Sequence, residues 1–511
     1  MTLQHLLEGV PMTAIHGSLA VEIAGVAYDS RRVRRGDVFF ALAGSTEDGT
    51  AYARQAAAAG AVAVVASAAE VPSVTVVHVP EPRVALARAA ARLHGEPSLA
   101  LRVVAVTGTN GKTTTTYLLE AVFRAAGWIS GVIGTTGVHV GDERRPATLT
   151  TPESPELQGL LAEMSRRGVV AVALEISSHA LVQRRGYGLH CDAMVFTNLS
   201  HDHLDYHGTL ESYLDAKLML FDGRNLPEPR KRAVALVNAD DPVAGQVADA
   251  ARRGGLEVAR YSGEPDSRSA ALVVHVTAIE PSAGGIELRV RTTKQPWLGS
   301  GGVSLAGGEE HRVRLPLLGR YNAANAAAAF ASAWALGIDP ETIARGLESM
   351  AGVPGRLERV DRGQPFLVVV DYAHTPDALA RALAAVREHA TGKVMLVFGC
   401  GGDRDPTKRP LMGRAAAAGS DRAWVTNDNP RSEDPARIAE EIVAGAPGAG
   451  LVVELDRRAA FHAALAEAEP GDVVLIAGKG HETTQTIGER VLPFDDRQVA
   501  GGWLDARREG R

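Results

Sequence analysis

Apolar residues along this chain gather in short unbroken runs, separated by alanine-rich stretches with helical spacing. Unbroken runs are what strands buried on both faces need, so parallel sheets covered by helices are the expected units. In the first segment, 21–43 reads as strands around a turn, 61–66 and 74–79 as buried strands, and 84–93 as a helix. A second set of apolar strands falls at 101–106, 169–176, 193–198 and 233–238. From 272 to 317 strands alternate with glycine turns, which predicts an antiparallel addition, and 321–336 predicts a packed helix. A third set at 366–371, 394–398, 423–426, 451–455 and 473–477 predicts another open sheet. Gly95, Pro97 and Ser98, then Gly352, Pro354 and Gly355, punctuate the chain. The expected fold class is therefore α/β, in three segments bounded by these linkers, 1–97, 98–351 and 352–511.

A chain of 511 residues should hold two to four domains, because single cores stop growing near ~250 residues. The net charge of -6 and 22% charged residues leave no large basic field, which argues against nucleic acid as a partner. Cys191 and Cys400 are too few for a disulfide framework or a thiolate zinc site, and fit a reducing compartment. The start lacks the flanks of a signal peptide. The most apolar helical run, 323–336, carries Asn325 and is mostly alanine, so no membrane span and a cytoplasmic location are expected.

The strongest chemical signal is AVTGTNGKTTTT at 105–116, a strand, a glycine turn and a helix start. Gly108 and Gly111 let backbone N–H groups converge where the helix N-terminus attracts an anion. Lys112 would meet the outer phosphates and the Thr113 hydroxyl a magnesium ion, although Val106 stands where the general phosphate-loop pattern has glycine. Glu175, ending the strand in LEISSH, is a candidate magnesium ligand or a capping acid. TNLSHDHLDYH at 197–207 crowds histidines and aspartates, which reads as a zinc site or as a loop of solvated and capping residues. Lys217, taken alone, is a solvated or snorkelling lysine.

In the third segment, polar clusters follow the strands at 371–376, 399–405, 427–435 and 477–482. Each alone reads as a structural turn, but open sheets bind ligands beyond the carboxyl ends of their strands. The mixture suits a zwitterion, with Arg404 and Arg431 for carboxylates and Glu482 for an ammonium.

TGTNGKTT, LEISSH, TNLSHDHLDYH, YLDAK, GRYNAANAAAA, PGRLE, VDYAHTPDAL, GCGGDRD, DNPR and AGKGHE, in this order, resemble the Mur ligase family over essentially the whole chain. The resemblance implies a small N-terminal UDP-sugar-binding domain, a central P-loop ATPase domain and a Rossmann-like C-terminal domain for the amino acid. It also implies an ATP-dependent amide ligase of peptidoglycan synthesis, adding meso-2,6-diaminopimelate to the D-glutamyl carboxylate of UDP-MurNAc-L-Ala-D-Glu through an acyl phosphate. A lysine-adding muramyl ligase or a folylpolyglutamate-synthase-like ligase is the alternative within the superfamily, and a non-enzymatic P-loop switch the alternative outside it.

Carried over by position, the resemblance implies that Gly108, Thr109, Asn110, Gly111, Lys112, Thr113 and Thr114 bind ATP, with Asn325, Arg356 and Asp371 contributing from elsewhere. Thr113 and Glu175 would attend one Mg2+ and His203 a second. Lys217 would be carbamylated by carbon dioxide to hold that second ion, and Lys112, Glu175, His203 and Lys217 would form the catalytic set. Tyr28, Ser30, Ser45, Thr46, Glu47, Thr150, Thr151, Ser177, Gln183 and Arg185 would take the muramoyl dipeptide. Arg404, Asp428, Asn429, Pro430, Arg431, Gly478 and Glu482 would take diaminopimelate. Closure of the domains would exclude water from the reactive intermediate. The expected partners are these small molecules alone, with the chain a monomer.

Overall fold

The computed structural model describes residues 1–44, 48–225, 231–269, 271–282, 284–294 and 308–509, with the side chain of 509 left out. The carried-over positions Ser45, Thr46 and Glu47 lie outside them. The chain forms two compact units, the first holding residues 1–275 with 291–311 and 324–347, the second 276–290, 312–323 and 348–511.

In the first unit, β1 (Ala14–His16), β2 (Gly25–Ala27), β3 (Asp37–Phe40), β4 (Ala63–Ala66) and β5 (Thr75–His78) form a sheet in the order β1-β5-β4-β3-β2. The turn expected within 21–43 joins β2 and β3, which pair in parallel, so the connection is a crossover and not a hairpin. Helix α1 (Pro82–Leu93) buries Ala85, Leu86 and Ala89 in the core of this sheet.

The large sheet starts with β6 (Arg102–Thr107), followed by α2 (Lys112–Ala125), β7 (Ser130–Gly134), β8 (Gly137–Val140) and β9 (Glu143–Arg145). Then come α3 (Ser154–Arg166), β10 (Ala171–Glu175), β11 (Ala193–Phe196), α4 (Leu204–His207), α5 (Leu210–Leu218), β12 (Val234–Asn238) and β13 (Glu257–Ser262). Strands β14 (Leu272–Ser282), β15 (Gly285–Thr292) and β16 (Glu310–Leu315) complete the order β16-β15-β14-β13-β12-β11-β6-β10-β7-β8-β9, and their residues divide between the two units. The strands from β7 through β10, β6, β11 and β12 to β13 are parallel, as expected from the apolar runs of β6, β10, β11 and β12. Val103 and Ala105 pack into one core with Leu157, Leu161 and Met164 of α3. By strand alternation Val104 and Val106 face the other side, where α2 buries Leu118, Leu119, Val122 and Phe123. Both β6 and β10 thus end at the same end of the sheet, with Glu175 beside Val106, so that the carboxylate stands next to the start of the loop that follows β6.

Helix α6 (Asn322–Ala335) follows in sequence. In the second unit, β17 (Glu358–Arg359), β18 (Leu367–Asp371), α7 (Pro376–Arg387), β19 (Val394–Phe398), β20 (Arg422–Val425), β21 (Val452–Val453), α8 (Arg457–Glu467) and β22 (Val473–Ala477) form a sheet ordered β17-β18-β22-β19-β20-β21. Only β17 is antiparallel. A hairpin of β23 (Thr484–Ile487) and β24 (Arg490–Pro493) and helix α9 (Asp496–Glu509) end the chain. Alternate residues serve two cores. Val369, Leu396 and Leu475 meet Leu379, Leu383 and Val386 of α7, while Val368, Val370, Val397 and Ile476 meet Phe461 and Leu465 of α8 and Leu504 of α9. Among the described residues, no helix is long and apolar enough to cross a membrane.

Candidate functional site

Between β6 and α2 the backbone turns through Gly108 at φ 147° and Gly111 at φ 86°. A methyl group on Gly108 would strike Thr197 Oγ1, and one on Gly111 would strike Asn325 Oδ1, so both positions need glycine for conformation and for space. The stretch after β11 braces the loop. Thr109 N donates to Asn198 O at 2.8 Å and Asn110 N to Asn198 Oδ1 at 2.9 Å, while Thr197 Oγ1 and Asn198 Nδ2 donate to Asn110 O at 2.6 and 3.0 Å. Lys112 Nζ lies 2.8 Å from Gly108 O and 2.9 Å from Thr109 O, curled over the loop at the positive end of α2. The result is a preformed anion cradle with a cation above it.

Glu175 is 0% exposed at the end of β10. Its Oε2 accepts from Thr113 Oγ1 at 3.1 Å and Thr135 Oγ1 at 3.0 Å, and its Oε1 from Thr135 N at 3.0 Å. Among the described residues it has no basic partner. A buried carboxylate beside a hydroxyl, both hard oxygen donors next to a phosphate cradle, suits a divalent cation. Thr135 carries no motif of its own and was invisible in the sequence.

Lys217, in the last turn of α5, is 1% exposed, and its Nζ sits 4.1 Å from the centroid of the Tyr213 ring. Among the described residues its ammonium has no hydrogen-bond acceptor. Burial holds its pKa well below the usual lysine range, with Lys112 pushing the same way and Asp202 opposing. Burial also lowers the pKa of His203, with Asp202 opposing and Lys112 and Lys217 adding to the fall. The two lysines, His203 and Asp202 therefore share one electrostatic neighbourhood. Among the described residues, neither His203 nor Lys217 hydrogen-bonds Thr113 or Glu175. Within 197–207 the rings pack against each other and their neighbours, His179 with His203 at 5.0 Å and His207 with Tyr213 at 5.0 Å. No group of three His, Cys, Asp or Glu suited to a metal occurs among the described residues, which leaves the zinc reading of this loop without support.

Thr151 is the hub of the positions expected to hold the dipeptide. Its Oγ1 donates to Glu175 O at 2.9 Å and accepts from Ser177 N at 3.1 Å, its O accepts from Arg185 at 3.0 Å, and Arg185 donates to Gln183 Oε1 at 2.6 Å. Thr150 Oγ1 lies 3.0 Å from Thr135 Oγ1. Tyr28 donates to Glu156 Oε1 at 3.0 Å, whereas Ser30 points to Gln55 at 3.4 Å. Glu153, 2.9 Å from Arg185, is a further charged neighbour that the motifs did not reveal.

In the second unit the strand ends gather the remaining positions. Asp371 accepts from Leu357 N at 2.7 Å and Ala373 N at 2.8 Å, and burial raises its pKa while Arg356 opposes. The Arg356 guanidinium lies over the Tyr372 ring, 4.9 Å from its centroid. Asn429 Nδ2 donates to Glu482 Oε2 at 2.8 Å. Asp428 faces Gly478, where a methyl would strike Oδ2, and burial pushes its pKa up. Arg431, at φ 50°, donates to Gly402 O at 2.6 Å, while the exposed Arg404 donates to Asp403 O at 3.0 Å. A guanidinium and a carboxylate thus stand on neighbouring loops, the pairing a zwitterion needs.

Residues 22–94 match the model of the Mur ligase family catalytic domain, 106–333 the Mur ligase middle domain and 355–480 the Mur ligase glutamate ligase domain. The chain is 44% identical to UDP-N-acetylmuramoyl-L-alanyl-D-glutamate–2,6-diaminopimelate ligase of Geobacillus thermodenitrificans, over 99% of this chain and 100% of the relative. It is 45% identical to the enzyme of the same name from Alkalilimnicola ehrlichii, over 93% and 94%. A solved structure of a ligase of that name superposes with a TM-score of 0.71 at 33% identity, covering 99% of each chain.

Proposed function

This chain belongs to the Mur ligase family, and from that premise we propose that it is the ATP-dependent ligase joining meso-2,6-diaminopimelate to the D-glutamyl carboxylate of UDP-N-acetylmuramoyl-L-alanyl-D-glutamate in peptidoglycan synthesis. The observation that carries the chemistry is the Thr113–Glu175 contact beside the phosphate cradle. A carboxylate is a poor electrophile at neutral pH, so the γ-phosphoryl group of ATP passes to it first and creates a leaving group. ADP is the product of that transfer; the neutral amine of diaminopimelate then attacks the acyl phosphate, the C–O bond to phosphate breaks, the amine nitrogen gives up a proton, and amide and phosphate result.

Gly108, Thr109, Asn110, Gly111, Thr113 and Thr114 hold the ATP phosphates in this reading, with Lys112 swinging from the loop carbonyls to the transferring group. Asn325, Arg356 and Asp371 contribute to nucleotide binding. Thr113 and Glu175 fit one magnesium ion, since the buried carboxylate lacks a basic partner among the described residues. His203 and Lys217 fit a second once Lys217 is carbamylated. Its buried, depressed-pKa amine suits addition to carbon dioxide, which forms an N–C bond, releases a proton and places an anion beside Lys112. When bound, magnesium supplies charge stabilisation to the phosphoryl oxygens.

Tyr28, Ser30, Thr150, Thr151, Ser177, Gln183 and Arg185 hold the muramoyl dipeptide, and Arg404, 428–431, Gly478 and Glu482 hold diaminopimelate. Arg431 favours diaminopimelate over lysine by pairing the second carboxylate. Leaving that guanidinium unpaired in the complex costs about 1–3 kcal/mol. The working division is 1–97 for the UDP-sugar, 98–351 for ATP and 352–511 for the amino acid, in a cytoplasmic monomer. Limited proteolysis cutting near residues 97 and 351, and sedimentation at one chain mass, check these two statements.

The deciding assay follows ADP release with the UDP-linked dipeptide and meso-diaminopimelate, L-lysine or no amine. ADP release that requires diaminopimelate is expected. Equal rates with lysine overturn the specificity, and amine-independent release overturns the ligase reading.

A further inference from the structure

Lys479 is 0% exposed, yet its ammonium lies within the cluster that receives the amino acid. Its Nζ donates to Glu482 Oε2 at 3.0 Å, to Asn429 Oδ1 at 3.3 Å and to Thr484 O at 2.5 Å. Asn429 Nδ2 donates to the same Glu482 oxygen at 2.8 Å. Two donors from different loops therefore occupy Oε2, while Oε1 has no partner among the described residues. Asn429 Oδ1 also accepts from Thr486 N at 2.9 Å, and Arg431 N donates to Thr486 O at 3.1 Å. The hairpin start, the loop of Asn429 and Arg431, and Glu482 are thereby tied to one buried cation.

We propose that Lys479 is a positioning residue for amine recognition, clamping one oxygen of Glu482 so that the other faces the ammonium at the far end of the incoming diamino acid. The buried cation cancels half of the problem of placing a carboxylate there, and the three-way hold stops Glu482 from rotating onto Lys479 with both oxygens. Lys479 need not touch the substrate, because it acts through Glu482 and Asn429. Glu482 reads the remote ammonium and Arg431 the carboxylate beside it, so an error in either orientation weakens binding of the amino acid and leaves ATP and the dipeptide alone. This inference rests on the diaminopimelate-ligase reading above.

Steady-state kinetics on the full-length enzyme test it with Lys479→Met, Lys479→Gln, Glu482→Gln and the Lys479→Met/Glu482→Gln pair. Wild-type ADP release must first depend on diaminopimelate, and failure there sinks the ligase reading rather than the clamp. Given that dependence, KM for diaminopimelate is expected to rise about tenfold or more in Lys479→Met, with KM for ATP and for the dipeptide within about twofold. In the Glu482→Gln background the same substitution adds little, because the group it positions has already lost its charge. A smaller rise in Lys479→Gln, which keeps a donor, supports the clamp. An unchanged KM for diaminopimelate, an equal rise in all three KM values, full additivity with Glu482→Gln, or failure of both single variants to fold overturns it.

Discussion

The Thr113 hydroxyl lies 3.1 Å from Glu175 Oε2, joining the first turn of α2 to the last residue of β10. Thr135 closes the arrangement from a third side, through its N–H and its hydroxyl. Replacing Thr135 with valine leaves the N–H and removes the hydroxyl. The expected outcome is a rise of about tenfold in the magnesium concentration needed for half-maximal activity, the scale on which a ligand's supporting partner acts. Thr135→Ser should restore it, and magnesium titrations of both variants check this.

Gly111→Ala combines a left-handed backbone with a collision at Asn325. Strain of about 1–3 kcal/mol is expected at such a position, which corresponds to nucleotide binding weaker by roughly 5- to 150-fold if the loop must distort to hold phosphates. Calorimetric titration with ADP reads the change directly.

Lys217→Ala should lower activity by more than the roughly 10- to 100-fold attached to a supporting partner, with no recovery on adding bicarbonate. Wild-type enzyme depleted of carbon dioxide should lose activity and regain it with bicarbonate. Full turnover in the alanine variant would remove the carbamate from the mechanism.

His481 gives a pH dependence with a definite sign. Burial first, and then the Arg356 guanidinium, lower its pKa to about 4, against about 6.5 in the unfolded chain. Between those values the unfolded state binds a proton that the folded state refuses, so stability rises with pH across the window. The contribution is complete above about pH 6.5 and is lost as pH falls toward 4. Thermal unfolding followed between about pH 7.5 and 4.5 should show a shallower acid decline in His481→Gln than in wild type.

Arg457 and Asp496 are both 0% exposed in their side chains and meet at 2.6 and 2.9 Å between α8 and α9. Asp496→Asn leaves a buried guanidinium without its counter-charge, and a loss of about 3–5 kcal/mol in denaturant unfolding is expected.

Much of this was legible because local chemistry and spacing coincide. Gly108, Gly111 and Lys112 fall at a strand-to-helix junction whatever the rest of the fold does, and the apolar runs of β6, β10, β11, β18, β19 and β22 mark parallel strands without tertiary knowledge. Asn325 was a different case. It lies more than two hundred residues from Gly111 in sequence, and only the resemblance singled it out before the packing put its Oδ1 against that glycine. Thr135 and Glu153 carried no signal, and Lys479 lay inside AGKGHE without being singled out, since each acts through a hydrogen bond or ion pair whose other end is fixed by folding. Lys217 reads as an ordinary helical lysine until its burial is known. The crossover between β2 and β3 was hidden because a short turn-rich segment looks the same whether its flanking strands run parallel or antiparallel.

The sharing of β18, β22 and β19 between two helix layers constrains how this half of the chain can evolve. A slip of one residue in any of these strands would swap inward and outward faces in both layers at once, so neutral drift in their length is closed off. Variation is steered into the segments beyond their ends, at 399–405, 427–431 and 478–482. Point replacements in those loops would reshape the proposed amine pocket while leaving the pairing of the strands beneath it untouched.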